Sequence, residues 1–195
     1  MSFMKTILLL LAASACFSVA FAADPQAPPA NRIFDGQVGQ MEKEVVSLAE
    51  AMPADKYAFA PTAGEFKGVR TFSQQMTHIA TVIYQVSSGA LGEKCPVESG
   101  PDENGAASIQ GKAAVVKYLK DSFAYAHKAA AAMTSANLMD MMPSPFGNGK
   151  MPRVVLISMV SSHSFDHYGQ AVVYARMNGV VPPWTEVFRQ QQKPA

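Results

Sequence analysis

Three of the four histidines fall where they could share one task. His163 and His167 stand at i and i+4 in a helical stretch, so their side chains leave the same face one turn apart. Leu156, Val160, Ala171 and Tyr174 continue that face, which marks it as core-facing. His78 lies on a second apolar stretch, beside the stripe that contains Ile79 and Val82. If the two stretches are neighbours, three imidazoles converge at one end of the core. A His-x-x-x-His pair presents two nitrogens to one ion at about 2.0–2.1 Å, and a third histidine completes a face with positions left open for water. All-imidazole sites suit zinc, nickel, copper or iron, so the donor set leaves the metal open. Core histidines hydrogen-bonded to backbone or carboxylate would show the same spacing.

The remaining polar candidates are weaker. Asp166 precedes a proposed ligand but points about 100° away around the helix. It could accept a proton from an imidazole on another helix, or be a solvated carboxylate. Gln170, one turn beyond His167, could bond a metal-held water or make a structural amide contact. His127 has no partner at ligand spacing and reads as a surface or half-buried residue. Arg176 reads as a cap or ion-pair partner at the end of its helix. Tyr84 and Tyr174 read as residues at the core edge. Cys95, in Gly92-Glu93-Lys94-Cys95-Pro96, reads as an unpaired loop thiol.

Positioning these residues falls to four helical stretches. The first spans about 33–51, with Phe34, Val38, Met41, Val45, Leu48 and Ala49 at three- and four-residue spacing. The second spans about 71–91, with Phe72, Met76, Ile79, Val82, Ile83 and Val86 as its stripe and Gly92 as its stop. The third runs over about 108–133 and the fourth over about 153–177, ending at Asn178-Gly179 before Pro182-Pro183. The long connection 53–68 is expected to pack, because Tyr57, Phe59 and Phe66 would otherwise be exposed. Residues 93–105 read as a surface loop. The Met-, Pro- and Gly-rich segment 134–152 reads as an apolar cover that could close over a pocket. No strand pattern of useful length is present. The expectation is an all-α four-helix bundle, antiparallel or crossover, over residues 33–183, with a spacer at 23–32 and a tail at 184–195.

The amino end reads as a secretory signal peptide. Lys5 supplies the positive charge, Ile7 to Ala13 the apolar run, and Ala20-Phe21-Ala22 a cleavage site, so cleavage is expected after Ala22. A membrane anchor fits less well, because Ser14 and Ser18 interrupt the run. A lipoprotein signal at Cys16 lacks a large aliphatic residue at the required position. The expected location is periplasmic or secreted, with no stable membrane insertion. Cleavage removes Cys16 and leaves Cys95 alone, which excludes an internal disulfide.

Composition narrows the partners. The 195 residues carry 16 Lys and Arg against 15 Asp and Glu, a formal charge of +1. There is no basic field for a nucleic acid.

The stretch His163 to Pro183 (HSFDHYGQAVVYARMNGVVPP) closely resembles the carboxy-terminal signature of the DinB-like (DinB/YfiT) superfamily: His-x-x-x-His-x-x-Gln, then Tyr-x-Arg, a turn and Pro-Pro. Phe59-Ala60-Pro61-Thr62, ahead of Thr71 to Ala80, resembles the family's Pro-rich loop leading to the helix with its single histidine. The resemblance covers about 31–183. It implies a four-helix bundle, often a homodimer, that holds a divalent metal through His78, His163 and His167. Characterised relatives include transferases and isomerases that use low-molecular-weight thiols. An exported chain would meet little of such a cofactor. The expectation is therefore a metalloprotein acting on an unknown small molecule by hydrolysis or group transfer. The rivals are a bundle that binds metal or a small ligand without turnover, and a purely structural bundle.

Overall fold

The computed structural model describes residues 28–191. Four long helices form the body: α1 (Ala30–Ala51), α2 (Phe72–Leu91), α3 (Gly111–Ala131) and α4 (Arg153–Met177). α2 packs against both α3 and α4, α1 packs against the same two, and the diagonal pairs scarcely meet. The order around the bundle is therefore α1, α3, α2, α4. The two longest connections, 52–71 and 132–152, each join diagonal helices, which is the crossover arrangement.

Helix α2 is central. Its start is a capping box: Thr71 Oγ1 accepts from the Gln74 amide at 3.2 Å, and Gln74 Oε1 accepts from the Thr71 amide at 2.9 Å. Its end is Gly92, whose φ of 74° is a left-handed conformation suited to glycine. Between them nearly every side chain is buried, because a neighbour or loop covers each face. The core runs from Val38, Met41 and Leu48 through Phe72, Met76 and Ile83 to Leu119, Phe123 and Leu156, each with at most 1% exposure. Burial of side chains this size contributes about 1.5–3 kcal/mol each.

The 52–71 connection is ordered. Tyr57 donates to the Ala49 carbonyl at 2.6 Å and meets Phe72 edge-on at 5.3 Å. Phe59 packs edge-on against Tyr174 at 5.7 Å. Phe66, expected inside, is 41% exposed, because two anchored aromatics already hold the loop. Lys112 donates to the carbonyls of Glu50 and Met52 at 2.6 and 2.9 Å, closing the end of α1.

Several expectations need correction. α1 begins three residues earlier than the expected start at 33, and α3 is shorter at both ends than 108–133. The Met-rich segment contains a short antiparallel hairpin, β1 (Met141–Pro143) and β2 (Lys150–Pro152), in which Met142 opposes Met151. Strands of three residues carry no legible alternation. The hairpin lies at the far end of α2, where Met142 borders Gly92 and Pro145 borders Gly89. Gly89 is about 16 Å along the helix from His78, so the segment does not cover the histidines. Residues from Pro183 form a helix, α5 (Pro183–Gln191), packed on α1. Pro183 occupies the first helical turn, where proline initiates a helix as readily as it ends one. Arg176 donates to Thr185 Oγ1 at 3.2 Å and ties α4 to α5.

The expected signal peptide lies outside the described residues. No described helix is long and apolar enough to cross a membrane.

Candidate metal centre

The α2–α4 contact brings His78, His163 and His167 together. Their ring centroids are 5.1, 4.5 and 4.6 Å apart, and one ligand nitrogen from each lies within 4.8 Å of the others. His78 Nε2 and His163 Nε2 are 3.2 Å apart. Two nitrogens at adjacent corners of a tetrahedral ion with bonds of about 2.0–2.1 Å stand about 3.3 Å apart, so this pair fits adjacent positions on one ion. His78 and His167 are buried, at 3% and 7% exposure, and His163 is half-buried. Burial holds all three below the ordinary imidazole pKa. At His78 the Arg70 charge adds to it, and at His167 the other two rings help push the value down to about 4. Neutral rings with free lone pairs are the form a metal requires.

The tautomers are set from outside the cluster. His167 Nδ1 lies 2.7 Å from Gln75 Oε1. The Gln75 amide nitrogen donates to Gln170 Oε1 at 3.0 Å, which leaves its oxygen to accept from His167 Nδ1–H. His167 Nε2 is thus free of hydrogen and directed at its neighbours. On the other side, His78 Nδ1 donates to the Glu103 carbonyl at 3.1 Å. Such outer hydrogen bonds fix ring orientation and raise ligand basicity.

Glu103 reaches His78 through a strained loop. Asp102 and Glu103 have φ of 53° and 58°, uncommon for residues with a side chain. Arg70 braces them, donating from Nε to Asn104 Oδ1 at 3.0 Å and from Nη2 to the Asp102 carbonyl at 2.8 Å. Gly100, with φ of 64°, lets the loop turn back on itself, since a Cβ there would collide with the Gly105 carbonyl. Residues 93–105, expected as a surface loop, are therefore a support for His78.

The family model of the DinB superfamily matches residues 37–171, well over half of the chain. The chain belongs to the DinB superfamily. Two solved structures share the DinB-like fold. A DinB-like protein from Bacillus cereus ATCC 10987 is 17% identical, with a TM-score of 0.61 over 77% of this chain and 93% of that one. A protein assigned to the DinB family from Exiguobacterium sibiricum 255-15 is 17% identical, with a TM-score of 0.55 over 76% of this chain and 91% of that one. No curated protein matches. Within this DinB fold the three histidines named from sequence stand together. Gln75, Glu103 and Arg70 were not anticipated. Gln75 carried a signal, since its i, i+3 spacing to His78 puts it on the same face of α2.

The other sequence candidates resolve individually. Asp166 is 70% exposed on its side chain, and its Oδ2 is 3.9 Å from His167 Nε2, too far for a hydrogen bond. It accepts from Gln170 at 3.4 Å instead. Gln170 makes the structural amide contact. His127 is half-buried between Asp35 and Glu42, at 2.6 and 3.3 Å. Cys95 is free and partly buried. The cavity of about 540 Å³ behind the 101–105 loop, lined by Gln74, Thr77 and Ile109, holds none of the three histidines. A second one, about 420 Å³, adjoins them through Gln75 and Gln170 and is also lined by Arg70, Asp102 and Asn104.

Proposed function

We propose that this DinB-superfamily protein is an exported metalloprotein in which His78, His163 and His167 hold a divalent transition metal (zinc, nickel or iron) with open coordination, serving hydrolysis or group transfer on a small molecule. The observation that carries this reading is the convergence of one ring nitrogen from each of three imidazoles while Gln75 and the Glu103 carbonyl bind the outer nitrogens of two of them. When bound, the ion supplies Lewis acidity at a half-buried site. The chain's own groups keep the rings neutral by burial, hold His167 through Gln75 and hold His78 through Glu103. Export rests on Lys5, the run Ile7 to Ala13 and Ala20-Phe21-Ala22.

A second reading, metal binding without turnover, draws on one observation. Among the described residues no carboxylate is hydrogen-bonded to the cluster, and Asp166 Oδ2 stands 3.9 Å from His167 Nε2.

Metal analysis of untagged mature protein tests the centre. About one equivalent is expected, lost in His163→Ala and His167→Ala; a metal-free, folded wild type overturns it. Spectroscopy of a cobalt-substituted form separates the two readings, because exchangeable water at the ion is required for catalysis and its absence defeats it. Mass spectrometry of exported protein should find Ala23 at the amino terminus, and an intact Met1 would defeat the signal-peptide reading.

A further inference from the structure

The half-buried Arg70 forms no ion pair with any carboxylate among the described residues. Both of its bonds use neutral acceptors, Asn104 Oδ1 and the Asp102 carbonyl. Those bonds engage Nε and Nη2, which lie along one edge of the planar guanidinium. The opposite edge keeps two parallel N–H groups, one on Nη1 and one on Nη2, with no acceptor on Nη1 among the described residues. That edge is the shape that takes a carboxylate bidentately, and the two loop bonds immobilise the side chain beforehand.

The surroundings agree. Arg70 lines the cavity of about 420 Å³ together with Gln74, Gln75 and Gln170, so its wall is polar and neutral beside the guanidinium, and the Gln74 side-chain nitrogen carries no bond among the described residues. Gln75 belongs at once to this cavity and to the support of His167, so the cavity and the histidine cluster share a wall. The amino end of α2 is not the anion site. The amides of Thr71, Phe72, Ser73 and Gln74 are already bonded to Gln74 Oε1, the Phe59 carbonyl, the Tyr57 carbonyl and Thr71 Oγ1. Asp102 also lines the cavity; its backbone oxygen, not its charge, meets Arg70, and its side chain is exposed.

We infer that this cavity is the substrate pocket of the centre, and that the free edge of Arg70 grips a carboxylate of a small anionic substrate. The inference rests on the metal reading for what the pocket serves, but the grip itself needs no metal. Arg70 is then a specificity residue, selecting carboxylates over neutral isosteres.

Succinate, with succinamide as its neutral counterpart, is the probe, titrated by calorimetry into full mature protein with and without metal. Succinate is expected to bind both forms and to bind more tightly than succinamide by about tenfold or more. Arg70→Gln should abolish that preference. Because Arg70 also braces the loop, Asn104→Asp provides a second arm: it keeps an acceptor for Nε but adds a charge that neutralises the guanidinium. Succinate binding should weaken there while one equivalent of metal is retained. Asp102→Asn, which removes the competing carboxylate, should tighten it. Equal binding of succinate and succinamide by wild type, or unchanged succinate affinity in both Arg70→Gln and Asn104→Asp, overturns the inference even if metal binds. Intact succinate selectivity in a chain that takes up no metal leaves the anion grip standing and defeats the metal reading alone.

Discussion

Gln75 Oε1 accepts a hydrogen bond from His167 Nδ1 at 2.7 Å, across the contact between α2 and α4. This pairing decides which nitrogen of His167 faces His78 and His163. Gln75 is itself 1% exposed and held by Gln170, so its amide has one workable orientation.

Gln75→Leu is therefore expected to leave the fold intact and weaken metal binding by about 10–100-fold, the usual effect of losing an outer hydrogen bond to a ligand. Gln75→Glu should restore part of the affinity, since a carboxylate can accept from Nδ1–H. Metal competition titrations with a chelator of known affinity would measure both. Unchanged affinity in Gln75→Leu would show that His167 orients itself.

On the opposite side of the cluster, Gly100→Ala should displace the 99–105 loop, because the new Cβ collides with the Gly105 carbonyl in a backbone already at positive φ. A loss of about 1–3 kcal/mol of stability is expected from the strain. Metal affinity should fall as His78 loses the Glu103 carbonyl. Thermal melts and metal titration of the same variant read both effects.

His127 gives the bundle a pH-dependent tie between α1 and α3. Partial burial opposes its charge, but hydrogen bonds to Asp35 and Glu42 outweigh burial and raise its pKa. A raised folded value means that the folded chain binds the proton more tightly. The stabilisation is full below the unfolded value of about 6.5 and is lost as pH rises through the folded one. With Asp35 56% exposed on its side chain, solvent screening keeps the effect under about 1 kcal/mol. The three core histidines, held below the ordinary value, contribute a rise with pH in both proteins. Denaturant melts across that window should therefore show the stability difference between wild type and His127→Gln shrinking as pH rises, and a difference that does not change with pH would remove the tie.

Thr71→Ala removes one half of the capping box on α2 and should cost about 1 kcal/mol. Because the cap lies beside Arg70, succinate binding in this variant offers a control. The carboxylate grip should persist, since no free amide of the helix end takes part in it.

Periodicity made the helices legible, since Val38, Met41 and Val45, or Met76, Ile79 and Ile83, repeat on one face and are buried there. The histidines were legible because two of them share a helix turn and the third lies near an apolar stripe. What supports them was not. The bond from Arg70 to the Asp102 carbonyl and the bond from His78 to the Glu103 carbonyl span 32 and 25 residues, and backbone acceptors leave no trace in side-chain identity. Phe66 and α5 were misread for a related reason. Propensity and stop signals describe what a segment can do alone, whereas the packing of Tyr57 and Phe59, or of α5 on α1, decides what it does.

The diagonal placement of consecutive helices has a kinetic consequence. Among the four long helices only α2 and α3 are neighbours both in sequence and in space, so they form the one helical hairpin, closed by residues 92–110. α1 must wait for a partner, and α4 must cross the bundle to reach α2, closing a loop between His78 and His163 that spans 85 residues. Contacts of such sequence separation form late and slow the search. The three imidazoles can therefore meet only when α4 docks; before that, α2 presents His78 alone and α4 presents His163 and His167 without their third partner. Capture of an ion by all three would thereby be tied to the docking of α4, and the ion would act as a lock on the finished bundle rather than a template for building it.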